Sequence, residues 1–157
     1  MVLADFGAEC LQAHNEIRQQ HKCPPLRWSN DLAELAQNWA DKLAGRKFLA
    51  YSELTGIGEN ITFFPAGFTG GQVVDFWAKE RDRYDFECPG WQVGTNYFTQ
   101  MVWRSTTEVG IGTASTASLK QLVVVAFYRP PGNGNRPGEF ESNVLKNYPE
   151  NDVNHIK

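Results

Sequence analysis

The sequence predicts an α+β protein in which helices cover both faces of a central β-sheet, a three-layer α-β-α sandwich. Helical periodicities and one strand that is apolar at every position carry this prediction. The strand, residues 122–128, reads Leu-Val-Val-Val-Ala-Phe-Tyr. Both of its faces must therefore be covered, as in a central strand. We expect the sheet to be mixed and mainly antiparallel.

Apolar residues recur at helical spacing in three segments. The first begins near Asp5, a possible cap, and ends before Pro24. The second begins after residues 29–31 and closes at Gly45, and the third begins after the glycines at 70–71. The predicted apolar stripes are, in chain order, Phe6, Cys10, Ala13 and Ile17; Leu32, Leu35, Ala36, Trp39 and Leu43; and Val73, Phe76, Trp77 and Tyr84, with Glu80 standing in the last stripe.

Short β-prone runs alternate with these helices. Residues 59–64 and 109–113 predict two strands beside the apolar run at 122–128. Turn residues at 114–118 join the last two runs as an antiparallel hairpin. Residues 130–137, rich in Pro, Gly and Asn, predict an irregular surface loop.

Composition places the chain among globular proteins the size of one domain. It has 157 residues, of which 41% are hydrophobic and 21% charged, values that argue against disorder or a fibrous rod. The formal net charge of -3 removes a broad electrostatic case for nucleic-acid partners. The longest apolar run, 122–128, is far shorter than the roughly 20 residues of a membrane-spanning helix, so we expect no transmembrane segment.

The three cysteines, Cys10, Cys23 and Cys88, allow at most one disulfide, unlike a disulfide-stapled secreted domain. The first residues also lack the basic and apolar regions of a secretory signal. We therefore expect a cytoplasmic protein, or a secreted one if a leader was removed before Met1. Cys10 lies on an apolar helical face and predicts an inert core thiol, whereas the other two are loop residues open to exposure.

Glu80 is the strongest chemical signal in the residues themselves. An ionised carboxylate on an apolar helical face needs a hydrogen-bonding or charged partner, or else a raised pKa. The alternative is that the helix turns slightly and Glu80 lies at its rim, paired with Arg81 or Arg83. Glu59 follows Gly58 at the start of a strand and, taken alone, is an ordinary polar residue.

Several motifs together resemble those of the CAP superfamily, which includes cysteine-rich secretory proteins, insect venom antigens and plant pathogenesis-related proteins. The matching segments are, in chain order, 13–18, 24–26, Gly58-Glu59-Asn60, 74–77, 94–105 for the first family signature and 127–133 for the second. The resemblance runs from about residue 8 to residue 147. Unpaired cysteines and the segment 140–145 resemble the Golgi-associated branch of the pathogenesis-related proteins. The resemblance implies one CAP domain over residues 1–157, with 148–157 as a flexible tail.

The resemblance also implies a cleft lined by two histidines and two glutamates. Glu59 and Glu80 match the two glutamates, but Tyr97 and Tyr51 stand where the histidines are expected. A phenol with a pKa of about 10 is protonated at neutral pH and is a poor zinc ligand. We therefore expect zinc binding to be weak or absent, with no other cofactor. The four side chains are predicted instead to form a cluster in which tyrosine hydroxyls donate to the carboxylates.

The function implied by the resemblance is a non-enzymatic module that binds a lipid, a membrane surface or a protein partner, peripheral to Golgi membranes. An anionic phospholipid or a sterol is the expected ligand, and a homodimer is a further expected partner. The loop at 65–71 is the predicted entry for a lipid tail. Candidate basic contacts to the membrane are Arg18, His21, Lys22, Arg27, Lys42, Arg46 and Lys47.

Two other functions stay open at this point. A metal-dependent or Ser-type hydrolase is favoured by the family cleft, but it is disfavoured by the tyrosine pair and by a loop at 61–67 that lacks serine. A secreted defence or allergen-like protein is favoured by the breadth of the family and disfavoured by the cysteine count. His14 is predicted to pack or to hydrogen-bond rather than to act as a base. The Asn60-Ile61-Thr62 glycosylation pattern is attributed to chance, because the family motif should be partly buried.

Overall fold

A four-stranded sheet separates two helical layers in the computed structural model, which describes residues 2–46, 48–116 and 120–146. The helices are α1 (Val2–Gln20), α2 (Asn30–Arg46), α3 (Gly70–Ala78), α4 (Asn96–Met101) and α5 (Glu139–Asn143), and a 3₁₀ turn (Lys79–Arg83) continues α3. The strands are β1 (Arg27–Trp28), β2 (Gly58–Pro65), β3 (Glu108–Ser115) and β4 (Gln121–Arg129). The predicted α-β-α sandwich with a mixed sheet is confirmed.

The sheet has the order β1-β3-β4-β2. Both neighbours of β4 run antiparallel to it, and Ala126 pairs with Asn60 on one side and with Ile111 on the other. The predicted β3–β4 hairpin is therefore confirmed. The two-residue strand β1 pairs parallel with β3. Strand β1 was not predicted, because two residues are too few to show a periodicity.

Strand β4 is apolar throughout because its alternate side chains enter two different cores. The side chains packed with α1, α3 and α4 are Val124, Ala126 and Tyr128, and those packed with α2 are Val123, Val125 and Phe127. All six are fully buried. The prediction that 122–128 is a central strand covered on both faces is correct.

Two glycines of β3 let α2 lie directly on the sheet. A Cβ atom at Gly110 would meet the backbone nitrogen of Ala33, and one at Gly112 would meet the backbone of Gln37. Such a close approach leaves room for small side chains on the buried face of α2. Ala40 is therefore fully buried, whereas Leu35, which the predicted stripe placed inside, is 38% exposed.

Helix α1 begins at Val2 rather than at Asp5, and its most buried face differs from the predicted one. The fully buried side chains of this face are Cys10, His14 and Arg18, whereas Phe6, Ala13 and Ile17 are only partly buried. The polar members are buried because each finds hydrogen-bond partners on distant segments. The periodicity of apolar residues alone does not show this.

Helix α3 is fixed at its start by a reciprocal cap. The Thr69 hydroxyl accepts the N–H of Gln72 at 3.1 Å, and the Gln72 side-chain oxygen accepts the N–H of Thr69 at 2.9 Å. Phe76, placed inside by the predicted stripe, is 50% exposed, and α3 ends at Ala78. Glu80 therefore lies in the 3₁₀ turn rather than in the helix.

Some predictions concern residues whose structure is not described. These are the tail at 148–157, the end of the turn at 117–118, and Lys47. Among the helices of the described ranges, none has both the length and the apolar character needed to cross a bilayer.

Candidate functional site

Glu80 is a cap for a neighbouring helix. Its Oε1 atom accepts the backbone N–H groups of Tyr97 at 2.9 Å and Phe98 at 3.1 Å, both in the first turn of α4. The first amides of a helix lack partners within the helix, so this carboxylate satisfies two of them. Burial raises the pKa of Glu80, and the two amides and Arg83 oppose that rise. Arg83, named in the rim alternative, lies 3.8 Å from Oε2.

Tyr97 enters the site from α4. Its hydroxyl donates to the carbonyl oxygen of Ile61 at 2.7 Å, which ties α4 to β2. A tyrosine hydroxyl has one proton, so it cannot also donate to a carboxylate. The predicted hydroxyl-to-carboxylate bond from Tyr97 is therefore wrong. The backbone carbonyl of Ile61 competes successfully because strand β2 lies directly against the hydroxyl.

Glu59 and Tyr51 lie on the other side of the site. The Glu59 Oε1 atom accepts the backbone N–H of Ser52 at 2.9 Å, which fixes the loop after α2 to the first residues of β2. Tyr51 precedes that amide in the chain and is 74% exposed. The structure thus places each carboxylate on a backbone amide at or next to one of the two tyrosines.

Tyr51 and Tyr97 line one pocket of about 160 Å³. Its other lining residues are Leu49, Ala50 and Ile61. Glu59 and Ile61 are two apart on β2, so their side chains leave the same face of the strand. The two tyrosines therefore line one small pocket, and the two carboxylates lie next to it through their bonds to the Ser52 and Tyr97 amides, which differ from the bonds predicted.

These residues do not fit a zinc site. Within the described ranges, no three His, Cys, Asp or Glu side chains converge as a metal-binding group. Glu80 directs one oxygen to two amides, and the Tyr97 hydroxyl is a donor to a carbonyl. Burial also raises the pKa of Tyr97, which keeps the phenol protonated and unsuited to a metal.

The Gly58-Glu59-Asn60 motif has a packing role as well. A Cβ atom at Gly58 would overlap the side chain of Gln100, so the strand can approach α4 only with glycine here. Asn60 is 1% exposed and donates to the carbonyl of Tyr97 at 3.1 Å and to the hydroxyl of Tyr128 at 3.3 Å. Because Asn60 is buried and bonded, it does not offer a glycosylation site, as the sequence analysis expected.

His14 belongs to the interior. Its Nδ1 atom donates to the carbonyl of Cys10 at 2.8 Å, and its Nε2 atom accepts from the Tyr128 hydroxyl at 2.7 Å. Burial lowers the pKa of His14 to about 4, so the ring is neutral at pH 7. The predicted hydrogen-bonding role is confirmed.

Two of the proposed basic membrane contacts, Arg18 and His21, are fully buried, so this part of the prediction is wrong. Arg18 donates to five backbone carbonyls, those of Pro24, Met101, Trp103, Arg104 and Thr106. His21 donates from Nδ1 to the carbonyl of Leu145 at 2.7 Å, and burial lowers its pKa to about 4. A buried guanidinium is tolerated because carbonyl oxygens replace its water.

Two of the three cysteine thiols, those of Cys10 and Cys23, are buried in the folded chain. Burial raises the pKa of Cys10 to about 12, which agrees with an inert core thiol. Cys23, treated as open to exposure from its place in a loop, is 7% exposed, and its Sγ atom donates to the carbonyl of Val102 at 3.1 Å. Cys88 is exposed.

The end of α2 and the following loop form one surface, whose basic residues Lys42 and Arg46 were predicted as membrane contacts and whose apolar residues were not. We call it the α2-end patch, and its residues are Lys42, Arg46, Phe48, Leu49, Tyr51 and Leu54. Its four apolar or aromatic members are 42% to 74% exposed. The available signal was a run of large apolar residues directly after a helix that ends in basic residues.

Trp39 joins the two parts of the α2-end patch. Its indole N–H donates to the carbonyl of Ala50 at 2.9 Å. The Arg46 guanidinium lies 5.4 Å from the ring centroid, and the Lys42 ammonium lies 6.0 Å from it, within the range of cation–π contacts. The basic and apolar residues are thereby held around one indole.

A larger groove lies between α1 and α3. Its volume is about 490 Å³, and it is lined by Ile17, Phe68, Gln72, Asp75, Phe76, Ala78, Lys79, Arg81 and Asp82. Phe68 belongs to the loop at 65–71 where the sequence analysis placed the entry of a lipid tail. Apolar residues and charges of both signs line the same groove.

Residues 11–128 match the CAP family model, described as the cysteine-rich secretory protein family. The chain belongs to the CAP family. This CAP domain is 42% identical over 143 residues to Golgi-associated plant pathogenesis-related protein 1 of Homo sapiens, a match that covers 89% of this chain and 92% of that protein. The resemblance identified from the motifs is confirmed.

Solved structures similar to this CAP domain support the same fold. Schistosoma mansoni venom allergen-like protein 4 gives a TM-score of 0.67 at 22% identity, covering 94% of this chain and 97% of that one. NaASP2, solved with Zn²⁺, gives a TM-score of 0.70 at 17% identity, covering 95% and 89%. At these identities the likeness concerns the fold alone.

Proposed function

We propose that this CAP domain is a non-enzymatic module that binds membrane surfaces carrying anionic phospholipid through the α2-end patch. The observation that carries the proposal is the juxtaposition of Lys42 and Arg46 with exposed Phe48 and Leu49 around Trp39. Cations next to apolar side chains match a surface where phosphates lie above hydrocarbon.

The contributions in this proposal are modest and additive. Each basic group close to an anionic leaflet contributes about 1 kcal/mol, and buried apolar area adds to that attraction. Lys42 and Arg46 supply two charges. The net charge of -3 opposes approach of the whole chain, so binding depends on this local surface and weakens as salt screens it.

The small pocket favours a head group over a sterol. A volume of about 160 Å³ is below the roughly 300–1,000 Å³ typical of pockets that enclose drug-sized ligands. We therefore propose phospholipid rather than sterol as the ligand, without zinc or another cofactor. The name of the human relative supports a place peripheral to Golgi membranes, and we propose the cytosolic face.

Vesicle co-sedimentation tests this function. The protein is incubated at low salt with vesicles of phosphatidylcholine containing phosphatidylserine or a phosphoinositide, and then with vesicles of phosphatidylcholine alone. We expect more pelleting with the anionic vesicles, and a loss of that difference as salt is raised. The variants Lys42→Glu with Arg46→Glu, and separately Phe48→Asp, should lose most of the anionic binding.

Matched controls come from exposed residues outside the patch. Lys79→Glu with Lys120→Glu reverses two exposed charges, as the double patch variant does, and Val93→Asp removes an apolar side chain that is 82% exposed. Both should pellet like the unmodified protein. The proposal is rejected if anionic vesicles pellet none of the protein at low salt, or if the control variants lose as much binding as the patch variants.

A protein partner is a second candidate, favoured by the groove between α1 and α3. Phe76 is 50% exposed on this groove, and a large exposed aromatic residue is typical of protein interfaces. A homodimer is the simplest partner to test. Sedimentation velocity over a range of concentrations should show a dimer that Phe76→Glu weakens and Trp91→Glu does not. Monomer at every concentration removes the homodimer.

A further inference from the structure

We infer that the pocket between Tyr51 and Tyr97 binds a quaternary ammonium group, such as the trimethylammonium of choline. This goes beyond the proposed attachment to anionic membranes and does not depend on it. The α2-end patch presents cations to phosphate, whereas this pocket presents aromatic rings to a cation, with the carboxylates of Glu59 and Glu80 bonded to amides at its tyrosines.

The lining of the pocket matches the surface of such a ligand. A trimethylammonium group is a cation whose outer atoms are methyl groups. The aliphatic side chains of Leu49, Ala50 and Ile61 offer contacts for the methyl groups, and two tyrosines offer electron-rich rings. Aromatic rings of this kind attract quaternary ammonium cations.

The polar atoms of the pocket favour a ligand that does not donate hydrogen bonds. The single hydroxyl proton of Tyr97 is used by the carbonyl of Ile61, and that carbonyl is occupied in turn. An ordinary ammonium must place three N–H groups on acceptors, and each N–H that finds none among the aliphatic and aromatic lining loses a bond that water provides. A quaternary ammonium has no N–H group and is not penalised in this way.

Charge around the pocket is complementary to a cation. The Glu59 carboxylate accepts from the uncharged amide of Ser52, so this contact leaves its negative charge uncompensated. Glu59 shares a face of β2 with Ile61, which lines the pocket. Glu80 adds a second carboxylate at the Tyr97 amide, where Arg83 at 3.8 Å offsets part of its charge.

The phenols at positions 51 and 97 favour a different kind of cation from the one that histidines there would favour. Histidine nitrogens offer lone pairs that a metal can share, whereas phenol rings offer a diffuse negative face. With phenol rings in place of imidazoles and two carboxylates retained, the site loses its metal ligands. It then favours contact with a bulky organic cation. The volume of about 160 Å³ suits a head-group-sized ligand.

Titration of the unmodified protein with choline chloride tests the inference, with the backbone amide signals of Ser52 and Tyr97 followed by NMR. The neutral carbon isostere 3,3-dimethylbutan-1-ol is titrated in parallel. We expect choline to bind at least about tenfold more tightly than the isostere. Tyr51→Ala and Glu59→Gln should each weaken choline binding by roughly three- to tenfold.

The variants are chosen to leave the fold intact. Tyr51 is 74% exposed, and glutamine at position 59 retains an oxygen that can accept the Ser52 amide. Trp91→Ala, which removes an aromatic ring that is 53% exposed outside the pocket, should bind choline normally. Equal binding of choline and its isostere, no binding of choline, or insensitivity to both pocket variants would overturn the inference.

Vesicles distinguish the source of the ammonium group. If the pocket takes a lipid head group, vesicles of phosphatidylcholine alone capture the protein and Tyr51→Ala abolishes that capture. If it takes a small solute, choline binds while the same vesicles capture none. Both results support the pocket. Failure with anionic vesicles removes the membrane function but leaves the choline result standing, so the two proposals fail separately.

Discussion

The Oε1 atom of Glu80 accepts the backbone N–H of Tyr97 at 2.9 Å, and through this bond the 3₁₀ turn after α3 caps α4. Thr95, the residue at the start of α4, makes no side-chain cap bond. The acceptor that caps α4 therefore comes from a segment that is distant in sequence. The glutamate that the resemblance predicted in the cleft acts here as a structural acceptor.

Removing this cap should destabilise the protein. Glu80→Ala leaves two amides of α4 without acceptors, and we expect a loss of about 1–2 kcal/mol in the free energy of unfolding. Glu80→Gln keeps an acceptor oxygen and should lose less than half as much. Urea denaturation followed by tryptophan fluorescence measures both. Equal losses for the two variants would mean that charge, not capping, dominates.

Arg18 should tolerate no replacement without a large loss of stability. Arg18→Met leaves five carbonyls without their donor, and we expect the free energy of unfolding to fall by about 3 kcal/mol or more. Arg18→Lys offers fewer donors in the wrong geometry and should recover only part of it. Arg27→Met is the control, because that side chain is 74% exposed. A thermal shift of similar size in both would contradict this assignment.

Stability should decrease as the pH falls from about 6.5 to about 4. His14 and His21 have pKa values lowered to about 4 by burial, while an unfolded histidine titrates near 6.5. Between these values the unfolded state binds more protons, so the stabilisation is complete above the window and is lost through it. Arg81, 3.4 Å from the Nε2 atom of His21, further disfavours its protonation.

Urea midpoints between pH 7 and pH 4.5 measure this dependence. His21→Gln should be less stable at pH 7, because it loses ring packing against Phe86 and Phe98, yet its stability should vary less steeply with pH. Carboxylates titrate in both proteins, so the difference in slope isolates the histidine. Parallel slopes would show that His21 does not titrate as stated.

The glycines of β3 should be sensitive to the smallest added side chain. Gly112→Ala places a methyl group against the backbone of Gln37 and should destabilise the protein by about 1–3 kcal/mol, because α2 must move off the sheet. Gly45→Ala, in α2 with open space around it, should instead stabilise by about 0.5–1 kcal/mol. Thermal unfolding of the two variants provides the comparison. A gain at position 112 would show that the contact is not tight.

Zinc affinity should depend on the two tyrosines. Isothermal titration of the unmodified protein should show no tight zinc site, and the double substitution Tyr51→His with Tyr97→His should create one. The double variant also loses the bond from Tyr97 to Ile61, so its fold is checked first. Tight binding by the unmodified protein would refute the argument from the phenols.

Local patterns in the sequence were sufficient for the three long strands of the sheet, but not for the two-residue strand β1. The run at 122–128 is apolar at every position, and this property requires two covered faces wherever the strand lies. The motifs around Glu59 and Tyr97 were sufficient for the family, because several of them occur in the correct order. Two of the predicted cleft positions, Tyr51 and Tyr97, were therefore placed in one pocket without any knowledge of their contacts.

Contacts within that pocket were not predictable in the same way. Whether the Tyr97 hydroxyl meets a carboxylate or a carbonyl depends on the position of β2 relative to α4. The difference is only a few ångströms, and no spacing in the sequence encodes it. The apolar part of the α2-end patch was missed for a related reason, since the exposure of Phe48 and Leu49 depends on how Trp39 holds the loop at Ala50.

The sequence by itself determined the layer order through its periodicities and the family through the order of its motifs, and the resemblance placed Tyr51 and Tyr97, which line one pocket. Only the tertiary structure decided which charges are available to a partner. Arginine is a residue type that is usually exposed, yet Arg18 is enclosed by backbone carbonyls as far as 88 residues away in the sequence. A charge is buried or free according to the acceptors that the folded chain brings to it, and those acceptors come from segments that no local pattern connects.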